Sequence, residues 1–360
     1  MKQLKIIMII IILFQACIQK ETYSKKLKIS SVKNLIIKTT NQAVSEGFID
    51  NKVYLYSFGG LDSTKLFSGI HQRSFRFDIE ANIWEEIESI PDTLGKIANA
   101  ASRIMDTIYI IGGYHVFADG SEKSSNKVHR FHIKNNQFFD DGEAIPIPID
   151  DHIQAIWNNK LIYVISGWSD KENVPHVQIY DPKKNSWLEG TSVPDNHIFK
   201  SFGASGTIIG DTIYYFGGAA MGKNYPIQNY LRKGIINPEI PTEILWTYQI
   251  IDSLVSGYRM ASFYINNIPF WIGGSSNTYN YNGISYNNLG GVEPNQRILS
   301  LTNENFNINF NEFINMDLRG IAHINDSVKY LIGGMGKNQI VTNKVFKLEW
   351  KTSKITKIKK

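Results

Sequence analysis

The sequence of 360 residues contains one cysteine, at position 17, so an intrachain disulfide is excluded. Long apolar runs are also scarce. The one long run lies at the N-terminus and is too short to span a bilayer comfortably. Neither sign of charge dominates, because 38 Lys and Arg residues oppose 33 Asp and Glu residues. The densest basic cluster is the tail, residues 351–360, and the other cations are dispersed, so nucleic acid is not an expected partner.

The first 16 residues have the outline of a secretory signal, with two lysines ahead of the apolar stretch 6–14. The sequence Phe-Gln-Ala-Cys at 14–17 resembles a bacterial lipobox, although Gln15 stands where a small residue is usual. That resemblance implies cleavage before Cys17 and attachment of a diacylglycerol to its thiol. The alternative interpretation is an ordinary signal peptide followed by an incidental cysteine.

Residues 18–21, Ile-Gln-Lys-Glu, resemble the short charged signal of surface-exposed lipoproteins in Bacteroidetes. We therefore expect a chain anchored to the outer membrane or the cell surface through lipidated Cys17. Under the alternative interpretation the protein is periplasmic or secreted.

One pattern recurs six times along the chain: an apolar β run that ends in a small-residue pair, usually Gly-Gly. The runs span residues 53–60, 107–113, 161–167, 212–218, 268–274 and 328–334. Consecutive runs end 51 to 60 positions apart. Most are preceded by a short strand and a tight turn such as Asn158-Asn159, which predicts a β-hairpin in each repeat.

Two further strands complete each repeat. Segments 77–84 and 180–187 both begin with Phe or Tyr followed by Asp, continue through a polar turn and end in Trp. The double glycine, the aromatic-Asp pair and the Trp together resemble the kelch-repeat family over about residues 40–358. This resemblance implies an all-β fold, a six-bladed kelch-type β-propeller with four antiparallel strands per blade. The small pairs and Trp84, Trp187 and Trp246 are then interpreted as structural.

The domain organisation that follows has three parts. Residues 1–16 are the signal, 17–38 are a tether, and 39–360 form the propeller. The last repeat has only a short basic candidate for its fourth strand. The segment 27–38 is therefore a candidate N-terminal strand that closes the ring.

In a kelch propeller the loops that follow the small pairs surround one mouth of the central channel. Four cations stand near the starts of the innermost strands in four different blades: Lys96, Lys200, Arg259 and Arg319. If they converge, they form a cationic mouth suited to a carboxylate or another anion. Alternatively, they donate hydrogen bonds to loop carbonyls. Three other candidate site residues also stand near the starts of innermost strands: Asp151, His152 and Tyr258.

The loop of residues 275–288 mixes aromatic rings with amides, a mixture that binds sugars by stacking and by bidentate hydrogen bonds. Its candidate ligand-binding residues are Tyr279, Asn280, Tyr281, Asn282 and Tyr286. The alternative is a loop that packs its own tyrosines over the fifth blade. The sequence therefore leaves open whether the ligand is a glycan or a protein.

Several chemistries are not expected. Galactose oxidase, an enzyme built from kelch repeats, needs a Tyr-Cys cross-link beside copper, and the single cysteine of this chain, Cys17, lies in the N-terminal signal region and is not to spare. His129 and His132 lie three apart on one strand and so face opposite ways, which does not suit a shared metal site. We expect no metal and no cofactor.

Bacterial sialic acid mutarotase/epimerases are a closer comparison, since they are exported six-bladed kelch proteins. The acid/base glutamate of that family follows the fourth small pair, where this chain has Ala-Ala-Met-Gly-Lys at 219–223. We therefore favour a binding module over an enzyme. The alternative is a mutarotase or epimerase for an acidic sugar. Its candidate acid/base residues and anchoring arginines are Asp151, Glu293, His152, Arg259 and Arg319.

Overall fold

The computed structural model describes residues 22–279 and 291–355, and within these ranges the chain is almost entirely β-structure. Six antiparallel sheets follow one another in sequence order, five of them with four strands and the second with an added fifth strand. The described ranges contain three single 3-10 turns, Phe67–Gly69, Ser253–Val255 and Lys337–Gln339. No helix in them is long and apolar enough to cross a membrane. The architecture is the expected six-bladed propeller.

The first three blades each run outward from the central channel. Strand β1, Thr22–Ser31, precedes them. Blade one contains β2 Ala43–Ile49, β3 Lys52–Leu61, β4 Ile70–Asp78 and β5 Ile83–Ile87. Blade two contains β6 Ile97–Ile104, β7 Thr107–Val116, an added β8 Glu122–Ser124, β9 Val128–His132 and β10 Gln137–Phe139. Blade three contains β11 Ile153–Trp157, β12 Leu161–Ile165, a small hairpin β13 Trp168–Ser169 and β14 Glu172–Asn173, then β15 Val177–Asp181 and β16 Ser186–Gly190.

The last three blades follow the same plan. Blade four contains β17 Phe202–Ile209, β18 Thr212–Ala219, β19 Tyr230–Ile236 and β20 Ile244–Ile250. Blade five contains β21 Tyr258–Ile265, β22 Ile268–Ser275, β23 Arg297–Thr302 and β24 Asn305–Phe310. Blade six contains β25 Ala322–Asn325, β26 Val328–Ile332 and β27 Val345–Ile355.

The outermost strand of blade six is the N-terminal β1, which pairs antiparallel with β27. Leu27 lies opposite Trp350 and Ile29 opposite Leu348. Both ends of the propeller therefore contribute to one sheet, and the closing strand lies a few residues earlier than the segment 27–38.

The hydrophobic core is divided among the junctions between blades. Between blades three and four, Tyr163 and Ile179 pack with Ile213 and Tyr215. Each of the other five junctions, including that of blade six with blade one, contains an equivalent cluster. A single sheet therefore buries its faces only when its neighbours are in place.

The small pairs and the tryptophans serve this close packing. A Cβ on Gly112 or Gly217 would collide with the carbonyl oxygen of Ile149 or Gly257 in the loop that enters the next blade. Gly112 and Gly217 also have left-handed backbone, with φ of 65° and 70°, which glycine adopts without strain.

Candidate functional site

One residue near the start of each inner segment has left-handed backbone, and these six residues form a ring around the loop-bearing mouth. The ring residues are Asn41, Ala98, Asp151, Gly203, Arg259 and Asp317, with φ between 46° and 63°. Backbone hydrogen bonds connect neighbours, such as Asp151 N–H to Ala98 O at 3.1 Å and Gly203 N–H to Asp151 O at 2.8 Å. The ring therefore fixes the side chains that lie at the channel entrance.

Charged side chains of blades three, five and six meet at this entrance and form what we call the axial cluster. Arg259 donates from Nε to Asp151 Oδ1 at 3.0 Å and from Nη1 to Asp317 Oδ1 at 3.2 Å. Arg319 reaches from blade six to the opposite blade three, where it donates to Asp151 Oδ1 at 3.3 Å and to His152 O at 2.9 Å. These contacts tie three blades together across the channel.

The charges of the axial cluster are buried and mutually compensated. Burial opposes ionisation of Asp151, but the charges of Arg259 and Arg319 hold its pKa below the ordinary value. For Asp317, burial raises the pKa although Arg259 opposes the rise. Thr40 Oγ1 and Tyr279 OH also donate to Asp317, at 2.7 and 3.1 Å. The guanidinium groups are therefore already engaged by protein carboxylates.

A cavity of about 160 Å³ opens beside the axial cluster among the loops that follow the small pairs, and we call it the mouth pocket. Its lining combines two chemical classes from blades two to five. The aromatic members are Tyr114, Trp168, Phe202, Tyr225 and Tyr258. The charged members are Glu122, Asp150, Asp151, Asp170 and Arg259.

The aromatic rings of the mouth pocket pack edge to face. Trp168 lies 5.3 Å from Phe202 and 5.8 Å from Tyr225, and Phe202 lies 5.6 Å from Tyr225, measured between ring centroids. Trp168 and Tyr225 are half-buried, whereas Phe202 is buried. Trp168 and Tyr225 therefore keep part of their ring surface exposed, while their other contacts are with neighbouring rings.

The Tyr225 backbone is left-handed, with φ of 46°, a conformation that costs an aromatic residue on the order of 1–2 kcal/mol. Thr278 Oγ1 donates to the carbonyls of Asn224 and Tyr225 at 3.0 and 3.1 Å. These bonds from the blade-five loop hold the strained turn of blade four in place.

Two carboxyl groups of the mouth pocket titrate far from their ordinary range. Asp150 is 3% exposed, and burial followed by the charge of Asp151 raises its pKa well above the usual value. Ser124 Oγ donates to Asp150 Oδ2 at 2.6 Å. Burial raises the pKa of Glu122 to about 7. Glu122 Oε1 is buried and has no hydrogen-bond partner among the described residues.

The repeats place the chain among known proteins. Residues 45–233, just over half of the chain, match a family model described as the KLHDC2/KLHL20/DRC7 Kelch-repeats domain. The chain belongs to the kelch-repeat family. This confirms the resemblance drawn from the glycine pairs, the aromatic-Asp pairs and the tryptophans.

Individual relatives of this kelch propeller are distant. Kelch-like protein 25 of Xenopus tropicalis is 25% identical over 154 residues, 43% of this chain and 24% of that protein. Kelch-like protein 36 of Mus musculus is 25% identical over 137 residues, 38% of this chain and 21% of that protein. The matched segments thus span about a quarter or less of the curated relatives.

A solved structure titled "Structure of YjhT" is similar to the kelch propeller as a whole. The TM-score is 0.64 at 15% sequence identity, with coverage of 92% of this chain and 99% of that chain. At this identity the similarity shows the fold alone.

The four cations expected at the mouth do not all meet there. Arg259 and Arg319 converge in the axial cluster. Lys96 is instead buried between blades one and two, where Nζ lies 3.3 Å from Asp92 Oδ2 and 2.9 Å from His129 Nε2. Lys200 pairs with Asp195 at 2.6 Å. The mouth is therefore not a cationic surface built from four blades.

The residues of the acid/base hypothesis are each engaged by other groups of the protein. Asp151 is engaged by two arginines, and His152 pairs through Nε2 with Gln154 Oε1 at 3.0 Å. Burial, with the charge of Arg319, lowers the pKa of His152 to about 3, so the ring is neutral. Glu293 accepts the backbone N–H of Asn338 at 3.0 Å and is exposed at the rim.

Of the tyrosines predicted to bind sugar, Tyr279 is 1% exposed and packs edge to face on Tyr258 at 5.4 Å. Both rings lie against Arg259, whose guanidinium carbon is 5.4 and 5.0 Å from their centroids. Tyr279 thus supports the axial cluster. Asn280, Tyr281, Asn282, Tyr286 and the lipidation candidate Cys17 lie outside the described residues.

Sequence reasoning missed the carboxylates and rings that line the mouth pocket: Glu122, Asp150, Trp168 and Tyr225. Glu122, Trp168 and Tyr225 lie in the loops after the second, third and fourth small pairs, and Asp150 lies just ahead of the inner strand of blade three. The shared loop position of the first three was the available signal. The positive charge of Arg259 and Arg319 predicted a site at the arginines instead.

The channel behind the axial cluster holds a cavity of about 120 Å³, lined by inner strands with His152 and Arg319. A vestibule of about 440 Å³ at the turn-bearing end shares lining residues such as Gln154 and Ser262 with it, and there Arg103 Nε donates to Glu46 Oε1 at 3.1 Å. The axial cluster separates this channel from the mouth pocket. Within residues 22–279 and 291–355, no group of three or more His, Cys, Asp or Glu side chains is arranged so that it could hold a metal ion.

Proposed function

We propose that this kelch propeller is a binding module that captures a carbohydrate ligand in the mouth pocket. The observation that carries the proposal is the presence of half-buried aromatic rings and buried carboxyl groups in one cavity of about 160 Å³. Sugars stack their C–H faces on aromatic rings and donate their hydroxyls to carboxylates. The small cavity favours a sugar ring over a protein surface.

Rigidity supports this proposal. Trp168 is fixed by the β13–β14 hairpin, and Tyr225 by its strained turn and the hydrogen bonds from Thr278. A pre-formed pocket loses little conformational entropy when a ligand enters, so a small contact area can suffice for binding.

The test is a glycan array followed by isothermal titration calorimetry with the sugars retained. Trp168→Ala should weaken binding by about tenfold or more, because it removes one stacking face. Phe310→Ala is the matched control, since Phe310 is 75% exposed on the outer strand of blade five. If no glycan binds, or if both variants bind like the parent protein, the proposal fails.

A second candidate function is a sugar mutarotase or epimerase, and Glu122 is the observation that favours it. A carboxyl group with a pKa of about 7 can donate or accept a proton near neutral pH. Asp150 beside it has a raised pKa and could hold a proton as the partner group. The acid/base pair of this candidate is therefore Glu122 with Asp150, in place of Asp151 or Glu293 with His152.

Anomer exchange measured by NMR on the sugars that bind distinguishes this enzyme from a binding module. Acceleration that is lost in Glu122→Gln but retained in Glu189→Gln, an exposed position on β16, would support catalysis. Exchange at the uncatalysed rate would exclude it.

We further propose that the chain is exported and anchored through a lipid on Cys17, at the outer membrane or cell surface. The lipobox resemblance at 14–17 supports this. Metabolic labelling with a radioactive fatty acid should mark the parent chain and leave Cys17→Ser unlabelled. An unlabelled parent chain in the soluble fraction would indicate a periplasmic or secreted protein.

A further inference from the structure

We propose that the ligand of the mouth pocket carries an ammonium group, so that the preferred class is a sugar with a free amine. This inference rests on the proposed carbohydrate binding and names the substrate class. It differs from the acidic sugar that the arginines suggest.

The charge balance of the mouth pocket is the first argument. Arg259 is the cation in its lining, and the carboxylates of Asp151 and Asp317 already compensate it within the axial cluster. Glu122 and Asp170 add further acidic groups, and Asp150, whose pKa is raised by burial and by Asp151 in the free pocket, would ionise more readily beside a bound cation. An anionic ligand would meet carboxylates without an available cation, whereas an ammonium group would meet complementary charge.

Incomplete hydrogen bonding is the second argument. Glu122 Oε1 is buried and has no hydrogen-bond partner within the described part of the chain. Asp150 beside it is 3% exposed, and Ser124 Oγ donates to its Oδ2. A buried polar oxygen without a partner is costly, and an ammonium group supplies three donors to such an acceptor.

The aromatic rings are the third argument. Trp168 and Tyr225, both half-buried, line the same cavity as the two carboxyl groups. The faces of indole and phenol rings attract cations by about 0.5–2 kcal/mol. Aromatic faces combined with carboxylates form a site for ammonium, whereas the hydroxyls of a neutral sugar would bring hydrogen bonds but no positive charge to the carboxylates.

The experiment is isothermal titration calorimetry at pH 7.5 with three matched hexose series: the free hexosamine, its N-acetyl derivative and the parent hexose, each of gluco, galacto and manno configuration. Tetramethylammonium and glucuronic acid are additional probes. We expect a hexosamine to bind about tenfold or more tightly than its N-acetyl and hydroxyl counterparts. Glu122→Gln and Asp150→Asn should remove most of that preference, and Glu189→Gln should retain it.

The outcomes separate the two proposals. Equal binding of amine, N-acetyl and hydroxyl sugars would overturn the ammonium inference and leave carbohydrate binding intact. Binding of tetramethylammonium without any sugar would support the ammonium site and overturn the carbohydrate function. Preference for glucuronic acid would overturn the inference, and no binding of any probe would overturn both. Circular dichroism of each variant checks that a lost preference does not come from unfolding.

Discussion

At the residue scale, Asp151 is the group on which two buried guanidinium groups depend. Arg259 and Arg319 both contact it, and all three side chains are at most 3% exposed. Removing one member of a buried ion cluster leaves charge uncompensated and costs about 3–5 kcal/mol. Asp151→Asn should therefore lower the free energy of unfolding by that amount, as measured by urea denaturation at pH 7.

The matched control is Asp195→Asn, because Asp195 is exposed and its pair with Lys200 is at the surface. Its effect should be below about 1 kcal/mol. The pKa of Asp151 is depressed, so its stabilisation is present above the ordinary carboxyl pKa and is lost as pH falls through the lower folded value. The difference in free energy of unfolding between the parent chain and Asp151→Asn should therefore become smaller in acid. A difference at pH 7 as small as that of Asp195→Asn would contradict this account.

Glu122 should show the opposite pH dependence. Its folded pKa of about 7 lies above the ordinary 4.5, so between these values the folded chain holds a proton that the unfolded chain has lost. Stability from this group therefore falls as pH rises. The groups facing it are Asp150, Asp151, Asp170 and Arg259. Glu122→Gln should stabilise the fold more at pH 8 than at pH 5.

The measurement is paired urea denaturation at the two pH values, with Glu189→Gln as the exposed control. An equal effect of Glu122→Gln at pH 5 and pH 8 would show that Glu122 titrates in its ordinary range. That result would also remove the support for an acid/base role of this residue.

At the element scale, β1 is the strand on which ring closure depends. It pairs along its length with β27, and Leu27 packs on the junction of blades five and six. Leu27→Asp should lower the free energy of unfolding by about 1–3 kcal/mol, because it places a charge against apolar side chains. Lys28→Asp, one position along on the exposed face, should stay within about 0.5 kcal/mol.

Urea denaturation of both β1 variants supplies the comparison. If Leu27→Asp and Lys28→Asp change the free energy of unfolding equally, β1 stabilises the propeller through its backbone hydrogen bonds alone. A large effect of Leu27→Asp alone would show that the N-terminal strand is part of the core.

The elements differ in how far the sequence predicts them. Strands of the blades were predictable because each repeats a local signal, such as the turn at Asn158-Asn159, whose φ values are 51° and 52°. The added strand β8 and the hairpin β13–β14 occur once and have no repeated signal. These two irregular elements carry Glu122 and Trp168, so the repeat pattern does not predict the mouth pocket.

At the scale of the whole molecule, the ring brings together residues that are far apart in sequence. Arg319 contacts Asp151 across 168 positions, and Tyr225 joins Trp168 and Glu122 in one pocket. Repeat periodicity predicts that such residues lie at the same mouth. It does not predict which charges neutralise one another, because that depends on side-chain paths across the channel.

The closed ring also determines how the molecule unfolds. Each blade shares its core with two neighbours, β1 joins the first residues to the last sheet, and the axial cluster ties blades three, five and six. An open repeat array can fray from its terminal units, whereas this ring has no terminal blade. We therefore expect one cooperative transition in urea. Tryptophan fluorescence and far-UV circular dichroism should give coincident midpoints for the parent chain. Separate midpoints in the parent chain would show that the blades unfold independently.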